Sequence, residues 1–127
     1  MAKKAEKKGE SRVEKKVVPG AVIPKHKGGG KLTVKDWGRR RNEKALIYLI
    51  PNPKNPKKPS QKGITEAEFE QAYTRIMLHG EFTREWFDEN MKESAKEAAT
   101  NFTAIGGIFE MVGIADYDSG AYKRKGS

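Results

Sequence analysis

The pattern of apolar residues is helical in the second half of the chain. Large side chains recur every three or four residues after Thr65, and they fall on one face of a helix: Phe69, Ala72, Tyr73, Ile76 and Met77. Thr65 and Glu68 have the spacing of an N-terminal capping box, and Gly80 suits the left-handed conformation that ends many helices. These signals predict a first helix over Glu66 to His79.

The same spacing predicts two further helices. Thr83 can cap a second helix from about Arg84 to Ala99, and a third, short helix begins near Asn101 or Thr103 and runs to about Val112. We expect the largest apolar side chains of all three helices to share one core: Phe69, Trp86, Phe87, Phe102, Ile105 and Phe109.

A β-hairpin is predicted from Ile114 to Lys125. Tyr117 and Tyr122 stand on either side of Asp118-Ser119-Gly120, which has the composition of a tight turn. The preceding helix contains Gly106-Gly107, and each glycine costs roughly 1 kcal/mol relative to alanine in a helix. We interpret this pair as a place where another element packs closely against the helix.

The first half of the chain consists of short apolar pieces separated by proline and glycine. The run EKALIYLI stops at Pro51, so it predicts one buried strand over about residues 44–50. The next segment, PNPKNPKKPSQKG, predicts a stiff, exposed linker because it contains four prolines and four lysines. We therefore expect three segments: a disordered basic tail (1–16), a basic Gly/Pro-rich arm with one strand (17–63) and a helical, winged-helix-like domain (64–127).

Composition limits the possible functions. The chain has 127 residues, of which 35% are hydrophobic and 34% charged, so we expect one small core with a large solvated surface. It has no cysteine, which excludes disulfides, cysteine-based zinc fingers and thiol chemistry. No apolar run approaches the roughly 18 residues of a membrane span. We therefore expect no membrane insertion and an intracellular protein that is not secreted.

The net charge of +9 is unevenly distributed. Residues 1–63 carry +14, residues 64–120 carry −8, and Lys123, Arg124 and Lys125 add +3. A basic region of this size attracts polyanions through the release of counterions, so nucleic acid is the favoured partner. An acidic protein-interaction module with a solubilising basic tail is the alternative, and self-association is compatible with either interpretation.

The succession of an upstream strand, three helices and a hairpin resembles the winged helix-turn-helix superfamily over Ile64 to Lys125. The resemblance implies an α+β fold in which the third helix reads DNA bases and the hairpin from Tyr117 forms the wing. It also implies that the three cations of the hairpin lie near phosphates. Between Thr103 and Val112 there is no Arg, Lys or Gln, so we expect affinity to come from phosphate contacts of the basic arm and of the C-terminal hairpin, with the arm dominant.

The predicted function is binding of nucleic acid, with duplex DNA preferred over RNA; an RNA-binding component of a ribonucleoprotein is a further alternative. The segment KHKGGGK is interpreted as a flexible basic loop, because it does not match the GxxxxGK[ST] pattern of a phosphate-binding loop. The candidate nucleic-acid-binding residues are Lys25, Lys27, Lys31, Lys35, Arg39, Arg40, Arg41, Lys123, Arg124 and Lys125.

The sequence offers no catalytic constellation. The two histidines, His26 and His79, lie in the basic loop and at the end of the first helix, and neither accompanies a recognisable nucleophile. We therefore predict no enzyme activity, no cofactor and no metal site.

Overall fold

The computed structural model describes residues 17–26, 31–40 and 42–125. Within these residues the chain forms two antiparallel sheets and four helices, which confirms the predicted α+β class. The strands are β1 (Val22–Ile23), β2 (Leu32–Arg40), β3 (Glu43–Ile50), β4 (Ser60–Thr65), β5 (Glu81–Thr83), β6 (Ala115–Asp118) and β7 (Ala121–Arg124). The helices are α1 (Glu66–His79), α2 (Arg84–Asn90), α3 (Lys92–Glu97) and α4 (Thr100–Met111).

The first sheet is a meander with the order β1-β2-β3-β4, so each strand pairs with the next one along the chain. One of its two inner strands, β3, is the strand predicted from EKALIYLI, and Leu46 and Tyr48 of β3 are fully buried on the core side. The prediction of a basic arm with a single strand was wrong. β1, β2 and most of β4 also lie within residues 17–63, and their side chains join the same core as the helices.

A β-bulge explains why β2 does not show a strand pattern in the sequence. The pairing with β3 shifts register between Val34 and Asp36, which leaves Lys35 as an extra residue. Leu32 and Val34 are buried, and after the bulge Trp37 packs against the core, so the apolar positions change from even to odd numbers. A strict period of two is therefore absent from this segment.

The Pro/Lys segment, predicted to be a linker, is the loop of a β-hairpin. Ile50 pairs with Ser60 and Leu49 with Gln61, so β3 and β4 are joined directly on either side of it. The antiparallel partner, and not a domain boundary, explains why the chain reverses here.

The first helix has the predicted bounds. The Thr65 hydroxyl accepts a hydrogen bond from the Glu68 amide at 3.2 Å, and the Glu68 carboxylate accepts one from the Thr65 amide at 2.9 Å. This is the reciprocal capping box that the sequence indicated. Gly80 ends the helix in the left-handed region, with φ of 82°.

The predicted second helix is two helices, α2 and α3, because the backbone leaves the helical region at Met91 (φ −120°, ψ 54°). Hydrogen bonds compensate for the interruption. The Asn90 side chain donates to the Trp86 carbonyl at 3.0 Å, and the Gln71 side chain donates to the Asn90 carbonyl at 3.1 Å. The break also places the Met91 side chain in the core, where it is 4% exposed.

The core is continuous and lies among both sheets, α1 and α4. Phe69, Phe87, Phe102, Ile105 and Phe109 are buried in it as predicted, and Trp86 packs against its edge. Within the described residues no helix is long and apolar enough to cross a membrane.

Helix α4 is the central element of this core, and its two glycines are sites of close packing, as expected. A Cβ atom on Gly106 would lie 2.1–2.3 Å from ring carbons of Tyr122, and one on Gly107 would lie 2.5 Å from the Pro24 carbonyl oxygen. The glycines therefore let β7 and the end of β1 touch the helix backbone.

The C-terminal hairpin is confirmed, and a strand that the sequence pattern missed completes its sheet. Ser119 and Gly120 both have positive φ, 52° and 90°, as a two-residue turn between twisted strands requires. The short strand β5 pairs with β7, which gives the second sheet the order β5-β7-β6.

Candidate nucleic-acid interface

Charge is divided between the two halves of the described fold. The segments that form the first sheet and its loops, within residues 17–65, contain ten lysines and arginines and two acidic residues, a net charge of +8. Residues 66–125, which form the helices and the second sheet, contain seven basic and twelve acidic residues, a net charge of −5. The two-sided distribution seen along the sequence is thus also a division between structural elements.

The loop between β3 and β4 carries three exposed cations, Lys54, Lys57 and Lys58. Their ammonium groups form no ion pair with any described residue. Asn52 organises the loop, since its side-chain oxygen accepts from the Lys54 amide at 3.1 Å and its side-chain nitrogen donates to the Lys58 carbonyl at 3.3 Å. These lysines were not among the predicted site residues, although four lysines and no acid in thirteen residues were a usable signal.

Two predicted site residues lie on the face of the first sheet that points away from the core. Arg40 lays its side chain across Gly63, where a Cβ atom would come within 2.7 Å of the arginine Cγ. Lys35, at the bulge, donates from Nζ to the Gln61 side chain at 3.1 Å. Successive residues of a strand face opposite sides, so Gln61 and Gly63 face away from the side on which Ile64 is buried. Lys35 and Arg40, which contact them, therefore lie on the outer face.

The other predicted cations of this half lie around the same sheet. Lys31 is exposed immediately before β2, and Lys25 follows β1. Arg39, near the end of β2, donates from Nη2 to the Asn42 carbonyl at 2.7 Å, which fixes its guanidinium at the β2–β3 turn. Lys27 and Arg41 lie outside the described residues, as do the glycines of KHKGGGK and the tail predicted to be disordered.

The cations of the C-terminal hairpin are engaged within the chain. Lys123 donates to the Glu81 carboxylate of the neighbouring strand at 2.9 Å, and this hydrogen bond holds the pKa of Glu81 below its usual value. Lys125 lies 3.9 Å from an Asp116 oxygen, and Arg124 donates from Nη1 to a main-chain carbonyl of α1 at 2.7 Å. Lys123 and Arg124 belong to the second sheet and Lys125 follows it directly, so the structure separates all three from the cations of the first sheet.

The predicted reading helix, α4, has no exposed residue. Eight of its twelve residues are buried and the other four are half-buried. A helix that reads bases must insert a solvent-accessible face into the major groove. The burial of α4 therefore does not fit that role, and its lack of basic side chains is explained by its position in the core.

The described residues include no group of three or more His, Asp or Glu side chains placed to hold a metal ion. His26, one of the two histidines, is instead used structurally. Its ring stacks on Tyr117 at a centroid distance of 4.2 Å, and its Nε2 lies 2.7 Å from the Glu110 carboxylate. These contacts join the segment after β1 to the hairpin and to the end of α4.

Comparisons of the chain with protein-family models, with curated protein sequences and with solved structures found no match.

Proposed function

We propose that this protein binds nucleic acid, with duplex DNA as the preferred form, through phosphate contacts of the first sheet and of its β3–β4 loop. The observation that carries the proposal is the concentration of +8 in the first sheet and its loops, opposite −5 in the rest of the described fold. A polyanion approaching such a molecule is attracted to one side and repelled by the other, which fixes the orientation of binding.

The β3–β4 loop is the strongest part of this surface. Its three lysines are exposed, and the prolines and the Asn52 hydrogen bonds restrict the loop before any ligand arrives. A restricted loop loses less conformational entropy on binding than a flexible one. It therefore contributes more affinity for each phosphate that it contacts.

Contacts to the backbone, with little reading of sequence, fit this surface best. Trp37 is half-buried and has the Lys44 ammonium 4.9 Å from its ring, so its face is occupied. Successive bases of a single strand would need exposed aromatic faces on which to stack. The outer face of the first sheet offers Lys35 and Arg40 instead, which suit the phosphates of a duplex.

The order of elements from α1 to β7 supports a winged-helix-like arrangement. A strand follows the first helix, two short helices and a longer helix come next, and the closing hairpin pairs back onto that strand. On this proposal the winged-helix-like part acts as the scaffold for the basic sheet, because its helix α4 is enclosed and its hairpin cations are engaged.

The test compares two double variants that each remove two positive charges. Lys57→Gln/Lys58→Gln removes two cations from the proposed surface, and Lys92→Gln/Lys96→Gln removes two from α3 on the acidic side. Duplex affinity is measured by fluorescence anisotropy at several salt concentrations. We expect the loop variant to lower the slope of log K against log salt by about 0.9 for each phosphate that the protein no longer neutralises, and the α3 variant to leave it unchanged.

Equal effects of the two double variants would show that net charge, and not this surface, determines binding, and would refute the proposal. The same titrations with single-stranded DNA and with duplex RNA rank the three ligands. Weaker binding to duplex DNA than to single-stranded DNA or to duplex RNA would refute the proposed preference for duplex DNA.

A further inference from the structure

A small cavity lies where the segment after β1, the start of α2, the first half of α4 and the C-terminal hairpin meet. Its volume is about 240 Å³, and its wall includes His26, Arg84, Thr103, Tyr117 and Tyr122. Drug-sized ligands usually occupy about 300–1,000 Å³, so this cavity suits one small ring system.

A stacked aromatic pair and a cation–π pair line the cavity. The rings of His26 and Tyr117 are parallel within 3°, with centroids 4.2 Å apart. The guanidinium carbon of Arg84 lies 4.7 Å from the ring centroid of Phe102, and both side chains line the cavity. Aromatic rings and guanidinium planes are the surfaces on which proteins stack unpaired bases.

The cavity also offers polar groups that the described fold leaves unused. Tyr122 lines the cavity, and its hydroxyl forms no hydrogen bond with a described residue. Arg84 has five N–H donors, and one of its nitrogens, Nη1, donates to the Ala99 carbonyl at 2.9 Å. Thr103 adds a second hydroxyl to the wall.

Glu110 disfavours a phosphate beside Tyr122, whereas the Arg84 guanidinium in the same wall would attract one. The Glu110 carboxylate accepts a hydrogen bond from His26 Nε2 at 2.7 Å. Burial, and in addition the negative charge of Glu110, raises the pKa of Tyr122 above its ordinary value. A phosphate placed beside Tyr122 would meet the same negative charge. A heterocycle with donors and acceptors at its edge avoids this repulsion and uses the hydroxyls.

We propose that this cavity binds a single unpaired nucleobase. His26, in the cavity wall, follows Lys25, one of the cations of the basic half. The inference rests on the proposed function for its biological ligand: nucleic acid in which one base is unpaired, where no base pair has to be broken.

The first experiment uses uncharged nucleosides, which the basic sheet does not attract. In ¹H–¹⁵N NMR titrations with adenosine, guanosine, cytidine and thymidine, at least one should bind with a millimolar dissociation constant and shift the amides of Thr103, Tyr117 and Tyr122. Tyr122→Phe, which keeps the ring against Gly106, should weaken this binding about tenfold. Tyr73→Phe makes the same chemical change outside the cavity and should not affect it.

The second experiment compares a duplex with one unpaired nucleotide, the same duplex with an abasic residue at that position, and a fully paired duplex. We expect the unpaired base to improve affinity about tenfold over the abasic residue, the range typical of one stacked base. Arg84→Lys keeps the charge but loses the flat guanidinium, so it should remove this preference.

If all three duplexes bind equally and no nucleoside shifts the cavity amides, the inference is wrong while the proposed function stands. Shifts produced by ribose 5-phosphate or inorganic phosphate but by no nucleoside would identify an anion site and would also overturn it. Binding of nucleosides without binding of any duplex would overturn only the proposed function.

Discussion

Replacing Gly106 by alanine should destabilise the protein, although alanine is the better helix former. In an open helix the substitution gains about 1 kcal/mol. Here the new Cβ atom would lie 2.1–2.3 Å from three ring carbons of Tyr122, whereas carbon atoms in contact are about 3.5–4.0 Å apart. The ring is itself packed against Phe82 and Phe102, with centroid distances of 6.3 and 5.3 Å, so it has little room to retreat. Overpacking of this kind costs about 1–3 kcal/mol, and the stiff ring places this case at the upper end.

The net expectation is a loss of about 2 kcal/mol in the free energy of unfolding, measured by urea denaturation followed by circular dichroism. This corresponds to a fall in Tm of roughly 10 °C for a chain of this size. Thr103→Ala is the control, because it changes helix propensity on the same helix without adding an atom, and it should alter stability by less than about 1 kcal/mol. If Gly106→Ala were as stable as the original protein or more so, β7 would not lie against α4 and the packing argument would fail.

Four further predictions concern stability. Phe102→Ala should cost about 3–5 kcal/mol in urea denaturation, since the ring is 5% exposed and surrounded by aromatic neighbours; an unchanged midpoint would contradict its burial. Thr65→Ala should cost about 1 kcal/mol by removing the capping box, and Thr65→Ser should recover most of it. Asn101→Ala should cost about 1–3 kcal/mol, because this fully buried amide accepts from the Tyr48 hydroxyl at 2.6 Å; a smaller loss than that of Thr65→Ala would argue against the buried hydrogen bond. Burial raises the pKa of Tyr48 and Tyr122, so stability present below pH 10 should fall as the pH rises above it; half-ionisation of these two tyrosines near pH 10 in the folded protein, measured by tyrosinate absorbance, would refute this.

The sequence predicted the helices, strands and turns that are determined by residues close to one another in the chain. The capping box and Gly80 gave both ends of α1, because caps are interactions between near neighbours. The turn at Ser119-Gly120 was equally readable, since it depends on residues that tolerate positive φ. The strand over Glu43–Ile50 combined a continuous apolar run with a proline stop.

Elements that depend on distant partners were missed. β5 has three residues and becomes a strand only because β7 pairs with it, and its Glu81 meets Lys123 across 42 residues. For the same reason the sequence showed Lys123 and Arg124 in the hairpin but not Glu81 and the Met77 carbonyl that engage them. The break at Met91 is compensated by a hydrogen bond from Gln71 to the Asn90 carbonyl, and helical periodicity does not record such a distant contact.

The candidate interface was predicted in part. Lys31, Lys35 and Arg40 were assigned from charge alone, and the structure places them on or beside one sheet. Residues 51–63, which include Lys54, Lys57 and Lys58, were predicted to be a linker because four prolines usually indicate an exposed connection. What the sequence did not reveal is that β3 and β4 pair on either side, which makes the same prolines a support for a rigid basic loop.

The pairing order of the two sheets has a consequence for how the chain folds. Each strand of the first sheet pairs with its neighbour in sequence, so this sheet closes only short loops, whereas β5 and β7 must meet across all the intervening helices. Short loops close at little entropic cost, whereas contacts between residues that are far apart in the sequence slow folding. Substitutions at Leu46 should therefore slow folding, and substitutions at Tyr122 should mainly accelerate unfolding.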